Sequence, residues 1–90
     1  MGVIRLTGTL TCALEEVETV RAALPEHIRL SRAEPGCLAF DVTETAPGEF
    51  SVSERFVDRS AFDAHQTRTR ASDWWRFTAD MPRHFEISEE

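Results

Sequence analysis

Lysine, tyrosine and asparagine are all missing from these 90 residues. Without lysine there is no lysine Schiff-base chemistry, and without tyrosine or asparagine neither a phenol nor an Asn amide is at hand for a catalytic role. Every cation is therefore an arginine, ten in all against sixteen Asp and Glu, for a net charge of -6 and a pI of about 5.0. An acidic chain with no basic stretch does not build the concentrated positive field that nucleic-acid phosphates require, so no nucleic acid partner is expected. Cysteine is scarce as well. Cys12 and Cys37 have no CxxC spacing and no Cys/His cluster beside them. A disulfide scaffold and a zinc site are not expected, and both residues read as reduced, partly buried thiols. Long apolar runs are also lacking. None approaches the roughly 18 residues that span a bilayer, and no basic start leads into an apolar core as in a secretory leader. The expected location is the cytoplasm, with no membrane partner. Phosphate-binding glycine loops, dinucleotide fingerprints, zincin helices and nucleophile elbows are absent, and the carboxylates fall in no metal-ligand pattern.

What is present is an ordinary globular balance, 41% hydrophobic and 29% charged, long enough for one domain over residues 1–90. Ile4, Leu6, Gly8, Leu10 and Cys12 alternate with Val3, Arg5, Thr7, Thr9 and Thr11, which predicts a strand over 3–12. Leu14, Val17, Val20 and Leu24 recur at helical spacing and predict a helix over 13–24. Pro25 would interrupt that helix but suits the first turn of a second, over 25–33, ending at Glu34-Pro35-Gly36. Leu38, Phe40 and Val42 share one face of the next strand, and Phe50, Val52, Glu54 and Phe56 one face of its partner. The Thr45-Ala46-Pro47-Gly48 linker joins them as an antiparallel hairpin. Ser60 with Asp63 resembles a capping box for a helix over 60–70, with Phe62, His65 or Gln66, and Thr69 on one side. Ser72 caps a further short helix, and Phe85 and Ile87 alternate in a last strand over 83–88. The order β-α-α-β-β-α-α-β predicts an α+β ferredoxin-like sandwich with an antiparallel sheet. The more apolar parity of the sheet should face the helices. The other face, with Thr7, Thr9, Ser51, Ser53 and Arg55, calls for water or a partner sheet, so a homodimer is expected.

Few residues can carry chemistry. His65 sits in an amphipathic helix beside aromatic segments and reads first as a packed or helix-capping residue, with the role of general base as the functional alternative. Glu54 is a carboxylate on an apolar strand face, which is costly unless it meets a ligand or an arginine. Phe40, Phe62, Trp74, Trp75 and Phe77 serve first as core, and alternatively as the lining of a flat aromatic pocket. Trp74 and Trp75 are adjacent and cannot both enter one core. Arg68, Arg70 and Arg76 read mainly as a solvated face, with anion binding as the alternative. His27 and His84 read as structural or exposed.

The Glu34-Pro35-Gly36-Cys37-Leu38 turn, the Phe40-Asp41-Val42 strand, the Phe50, Val52, Glu54, Phe56 series and Ala61-Phe62-Asp63-Ala64-His65 together resemble the antibiotic biosynthesis monooxygenase family. The resemblance implies a ferredoxin-like protomer forming a dimeric α+β barrel, with a cavity between helices and sheet. It further implies oxidation of a small quinol-, anthrone- or phenol-like aromatic by molecular oxygen with no cofactor and no metal. On this resemblance His65 is base or anion stabiliser, Glu54 its orienter or a structural partner, and Phe40, Phe56, Phe62, Trp74 and Trp75 the substrate pocket. A lactone isomerase-like enzyme and a silent ligand-binding dimer are the alternatives within the same fold. Haem oxygenation is disfavoured, because the position that resembles the axial histidine of haem-degrading relatives is Trp75.

Overall fold

The alternation in the first segment forms a strand, β1, Ile4–Thr11, at the centre of a four-stranded antiparallel sheet. The computed structural model describes residues 2–90. After β1 come a single 3-10 turn at Leu14–Glu16, helix α1 at Val17–Arg32, strands β2 at Cys37–Ala46 and β3 at Glu49–Phe56, helices α2 at Arg59–Arg70 and α3 at Asp73–Thr78, and strand β4 at Arg83–Glu89. The strand order is β2-β3-β1-β4, the split β-α-β arrangement of a ferredoxin-like sandwich.

The expected barrel is corrected by this order. β2 and β4 are the two outer strands and pair only inward, with β3 and β1 respectively. The sheet is therefore open, and four strands are too few to curl round and close.

The expected break at Pro25 is also corrected. One helix runs through it from Val17 to Arg32. Proline removes the amide that would bond the Arg21 carbonyl. Both Pro25 and Arg21 face solvent, so water can take the freed acceptor, while Val17, Val20, His27 and Ser31 hold the buried face. Leu14 belongs to the preceding 3-10 turn and is exposed. The cap of α2 is Asp58 rather than Ser60, its carboxylate accepting from the Ala61 amide at 2.8 Å. Ser72 caps α3 as expected, accepting from the Trp75 amide.

The apolar parity of the sheet faces the helices, as expected: Ile4, Leu6, Leu10, Phe40, Phe50, Val52 and Phe56 are all buried. One residue departs. The register slips between Cys37 and Ala39, which turns Leu38 out to 52% exposure and brings Cys37 against the inner cluster. Such a bulge puts two residues of one strand opposite one of its neighbour and reverses the local alternation. Gly8 lets β4 lie close against β1, since a Cβ there would stand 2.0 Å from the His84 carbonyl oxygen and 2.8 Å from the Phe85 ring.

The core has two parts. Leu10, Cys12, Val17, Val20, Phe50, Trp74 and Met81 pack at one end. Ile4, Leu6, Phe40, Val52, Phe56 and Phe62 pack at the other. His65, Glu54 and His27 sit among these clusters.

Candidate active site

His65 lies on α2 one turn beyond Phe62, and the helical spacing of Phe62, His65 and Thr69 carries all three into the interior. The imidazole is 3% exposed and ringed by Phe56 at 4.9 Å and Phe40 at 5.4 Å between ring centroids. Its Nδ1 is 2.7 Å from Oε1 of Glu34. The carboxylate only accepts, so Nδ1 carries the proton and Nε2 keeps its lone pair. Thr69 Oγ1 stands 3.3 Å from that nitrogen, and Glu54 Oε1 stands 3.7 Å away. Burial holds the imidazole below its ordinary 6.5, against the opposite pull of Glu34. His65 is thus a neutral base at physiological pH, with a fixed tautomer.

Glu34 owes its position to the turn after α1. Gly36 has φ +85°, a conformation open to glycine, and a Cβ there would fall 2.7 Å from the Ala61 Cβ on α2. The turn therefore lies flat on the start of α2 and delivers the Glu34 carboxylate to His65. The second oxygen of Glu34 accepts from Arg68 Nε, and Arg68 also donates to Ser31 Oγ at 2.9 Å. The chain Ser31–Arg68–Glu34–His65 is continuous from α1 to the site.

Glu54, on β3, meets no arginine. Its Oε1 is buried without a hydrogen-bond partner among the described residues. Burial, with Glu34 adding to it, pushes this carboxyl up to about 8, so it is protonated at neutral pH and able to donate.

Between the two core clusters lies a cavity of about 220 Å³ lined from the sheet by Leu6, Leu10, Val42, Val52 and Glu54, and from the helices by His27, His65, Gln66, Thr69, Arg70, Trp74 and Trp75, with Arg83, Phe85 and Ile87 on β4. His65, Glu54, Trp74 and Trp75 thus come together on one cavity. Phe40, Phe56 and Phe62 do not line it and pack behind His65 in the inner cluster. Trp74 is buried and Trp75 half-buried with Arg83 over its ring at 4.9 Å.

Sequence reasoning missed three members of the site. Glu34 read only as a turn residue. Arg68 read as solvated and is instead half-buried on Glu34. His27 read as structural or exposed, yet it is buried, lines the cavity and stacks on Trp74 at 4.6 Å and 7°. Burial drives His27 down to about 3. The available signal for His27 was its place three and seven residues beyond Leu24 and Val20, on the buried stripe of α1.

The fold and site define a small α+β protein with a buried, neutral histidine on the lining of a largely apolar cavity. The antibiotic biosynthesis monooxygenase family profile matches residues 3–76, and the chain belongs to that family. Solved structures agree in fold. A Nitrosomonas europaea protein classed with the antibiotic biosynthesis monooxygenases is 24% identical with a TM-score of 0.86, the match covering 100% of this chain and 92% of that one. A Deinococcus radiodurans protein of the same class is 26% identical with a TM-score of 0.77, covering 98% and 91%. The Rv0793 protein of Mycobacterium tuberculosis is 25% identical with a TM-score of 0.77, covering 98% and 94%. Comparison with curated proteins gives no significant match. Among the described residues no helix is long and apolar enough to cross a membrane, and no group of three or more His, Cys, Asp or Glu is arranged to hold a metal ion.

Proposed function

We propose that this chain is a monooxygenase acting without a cofactor on a small quinol-, anthrone- or phenol-like aromatic. The observation that carries the reading is His65, a cavity-lining residue whose proton is fixed on Nδ1 by Glu34 at 2.7 Å and whose unprotonated Nε2 meets only the Thr69 hydroxyl at 3.3 Å among the described hydrogen-bond partners. A neutral imidazole with a buried carboxylate behind it is suited to take the proton of an aromatic hydroxyl. The resulting anion reduces molecular oxygen. For an anthrone-type methylene, one oxygen atom becomes the new carbonyl and the other leaves as water with both hydrogens of the CH₂, so the substrate supplies all the electrons. Protonated Glu54, 3.7 Å from Nε2, would donate a hydrogen bond to a developing oxyanion. Trp74 and Trp75 would flank the ring, and Phe40, Phe56 and Phe62 would hold His65 in place.

The test is oxygen uptake by purified protein over reduced quinones, naphthols and anthrones, with spontaneous autoxidation subtracted. Saturable uptake that falls by about 10²–10⁴ in His65→Ala is expected. Uptake unchanged in that variant would remove the mechanism.

We also infer that the chain works as a homodimer. In support, half-exposed Thr7, Thr9 and Ser53 lie on the sheet face turned away from the helices, and a 90-residue domain gains stability from a partner. A sedimentation coefficient of a monomer at micromolar concentration would overturn this.

A further inference from the structure

The chain carries a net charge of -6, yet two arginines stand on the lining of its otherwise largely apolar cavity. Six arginines each meet a carboxylate: Arg21, Arg29, Arg32, Arg55, Arg68 and Arg76. Arg5, Arg59, Arg70 and Arg83 form no ion pair among the described residues, and Arg70 and Arg83 are the two that line the cavity. Glu54 is the one carboxylate on that lining, and burial keeps it protonated at neutral pH. Both histidines that reach the cavity, His27 and His65, are held neutral by burial. An acidic protein that pairs most of its arginines has left two guanidiniums uncompensated where a ligand would sit.

Each is placed for a reason that pairing does not explain. Arg83, at the start of β4, donates to the Thr78 and Met81 carbonyls and to Thr78 Oγ1 at 2.7 Å, which fixes the guanidinium over Trp75. It is half-buried, and its charge is opposed by burial rather than stabilised by an acid. Arg70 ends α2, one turn beyond Gln66, and is exposed at the cavity rim. The helix dipole favours a cation in that last turn, but not its opening onto an apolar cavity. Trp74 and Trp75 supply ring surface on the same lining as His65 and the two arginines.

We infer that Arg70 and Arg83 form an anion-selecting subsite, so that the ligand of this cavity is an aromatic carboxylate whose hydroxyl faces His65. Guanidinium forks recognise carboxylates through paired N–H donors, which a neutral quinol cannot use. The hydroxyl half of this inference rests on the oxygenase reading. The carboxylate half stands on the arginines alone.

The experiment is calorimetric titration of the whole protein with two probes that do not react with oxygen, 3-hydroxybenzoate and its neutral isostere 3-hydroxybenzamide. The anion is expected to bind roughly tenfold more tightly than the amide, the advantage of a charge-assisted hydrogen bond. In Arg70→Gln, at an exposed position, the two affinities should converge through loss on the benzoate side only. Arg83→Gln should act the same way, with its fold checked by circular dichroism because Arg83 also ties β4 to α3. Equal affinity of the two probes, binding of neither, or an unchanged ratio in Arg70→Gln would overturn the subsite. Oxygen uptake is scored separately. Anion preference without uptake of oxygen on any quinol upholds the subsite and removes the oxygenase reading, and uptake without anion preference does the reverse.

Discussion

The Glu34 carboxylate, delivered by the turn after α1, accepts from Nδ1 of His65 at 2.7 Å and bonds Arg68 with its other oxygen. The residue pair spans 31 positions of sequence and joins α1's end to the middle of α2. Its effect is to choose the tautomer and to oppose the burial that lowers the imidazole.

Glu34→Gln removes that opposition, so the His65 pKa falls further. On the proposed mechanism the base works unprotonated, so the acid limb of the rate profile would lie below 6.5 in the native protein and move to lower pH in the variant. The amide can also accept or donate, so the tautomer is no longer fixed. We expect kcat to fall roughly 10–100-fold, less than for loss of the base itself, with partial recovery in Glu34→Asp. Nitrogen-15 spectra of His65 should show Nδ1 protonated in the native protein and a tautomer mixture in Glu34→Gln. A native-like spectrum and an unmoved pH limb would show Glu34 to be merely structural.

Glu54 makes stability depend on pH in a direction opposite to that of a paired carboxylate. Its folded pKa, about 8, lies above the ordinary 4.5. Between those values the folded chain holds a proton that the unfolded chain has released. Its contribution is therefore full below 4.5 and is lost as pH rises through about 8. The effect is on the order of a few kcal/mol. Glu54→Gln has no such proton, so its Tm relative to the native protein should climb from pH 4.5 to pH 8.5. A constant difference in Tm over that range would place the carboxyl at an ordinary pKa.

How much of this was legible before the fold was known follows from how local each signal is. The strand alternation of Ile4, Leu6 and Leu10 and the α2 stripe of Phe62, His65 and Thr69 are local periodicities, and both lie inward as read. Glu54 was visible as a polar residue on an apolar face. Glu34 was not, because its role depends on a turn folding back onto a helix 31 residues away. Pro25 misled through a sound local rule, since the chain's path places the lost hydrogen bond in water. Leu38 misled because a bulge has no signature in alternation alone. The open sheet was beyond reach for a further reason: closure depends on strand pairing, and periodicity says nothing of which strands are neighbours.

His27 offers the opposite pH signature to Glu54. It is buried face to face with Trp74 at 4.6 Å, and its Nδ1 has no hydrogen-bond partner among the described residues. Burial sets its folded pKa at about 3, below the ordinary 6.5. The unfolded chain binds a proton first as pH falls, so the contribution of neutral His27 is full above 6.5 and is lost down to about 3. His27→Phe keeps a flat ring against Trp74 and removes both the orphaned nitrogen and the titration. Its Tm should therefore fall less than the native value between pH 6.5 and pH 4, while the two proteins run parallel above pH 7. Parallel curves at every pH would mean that His27 is protonated in the folded chain as readily as in the unfolded one. The stack on Trp74 would then be that of an imidazolium held over an indole.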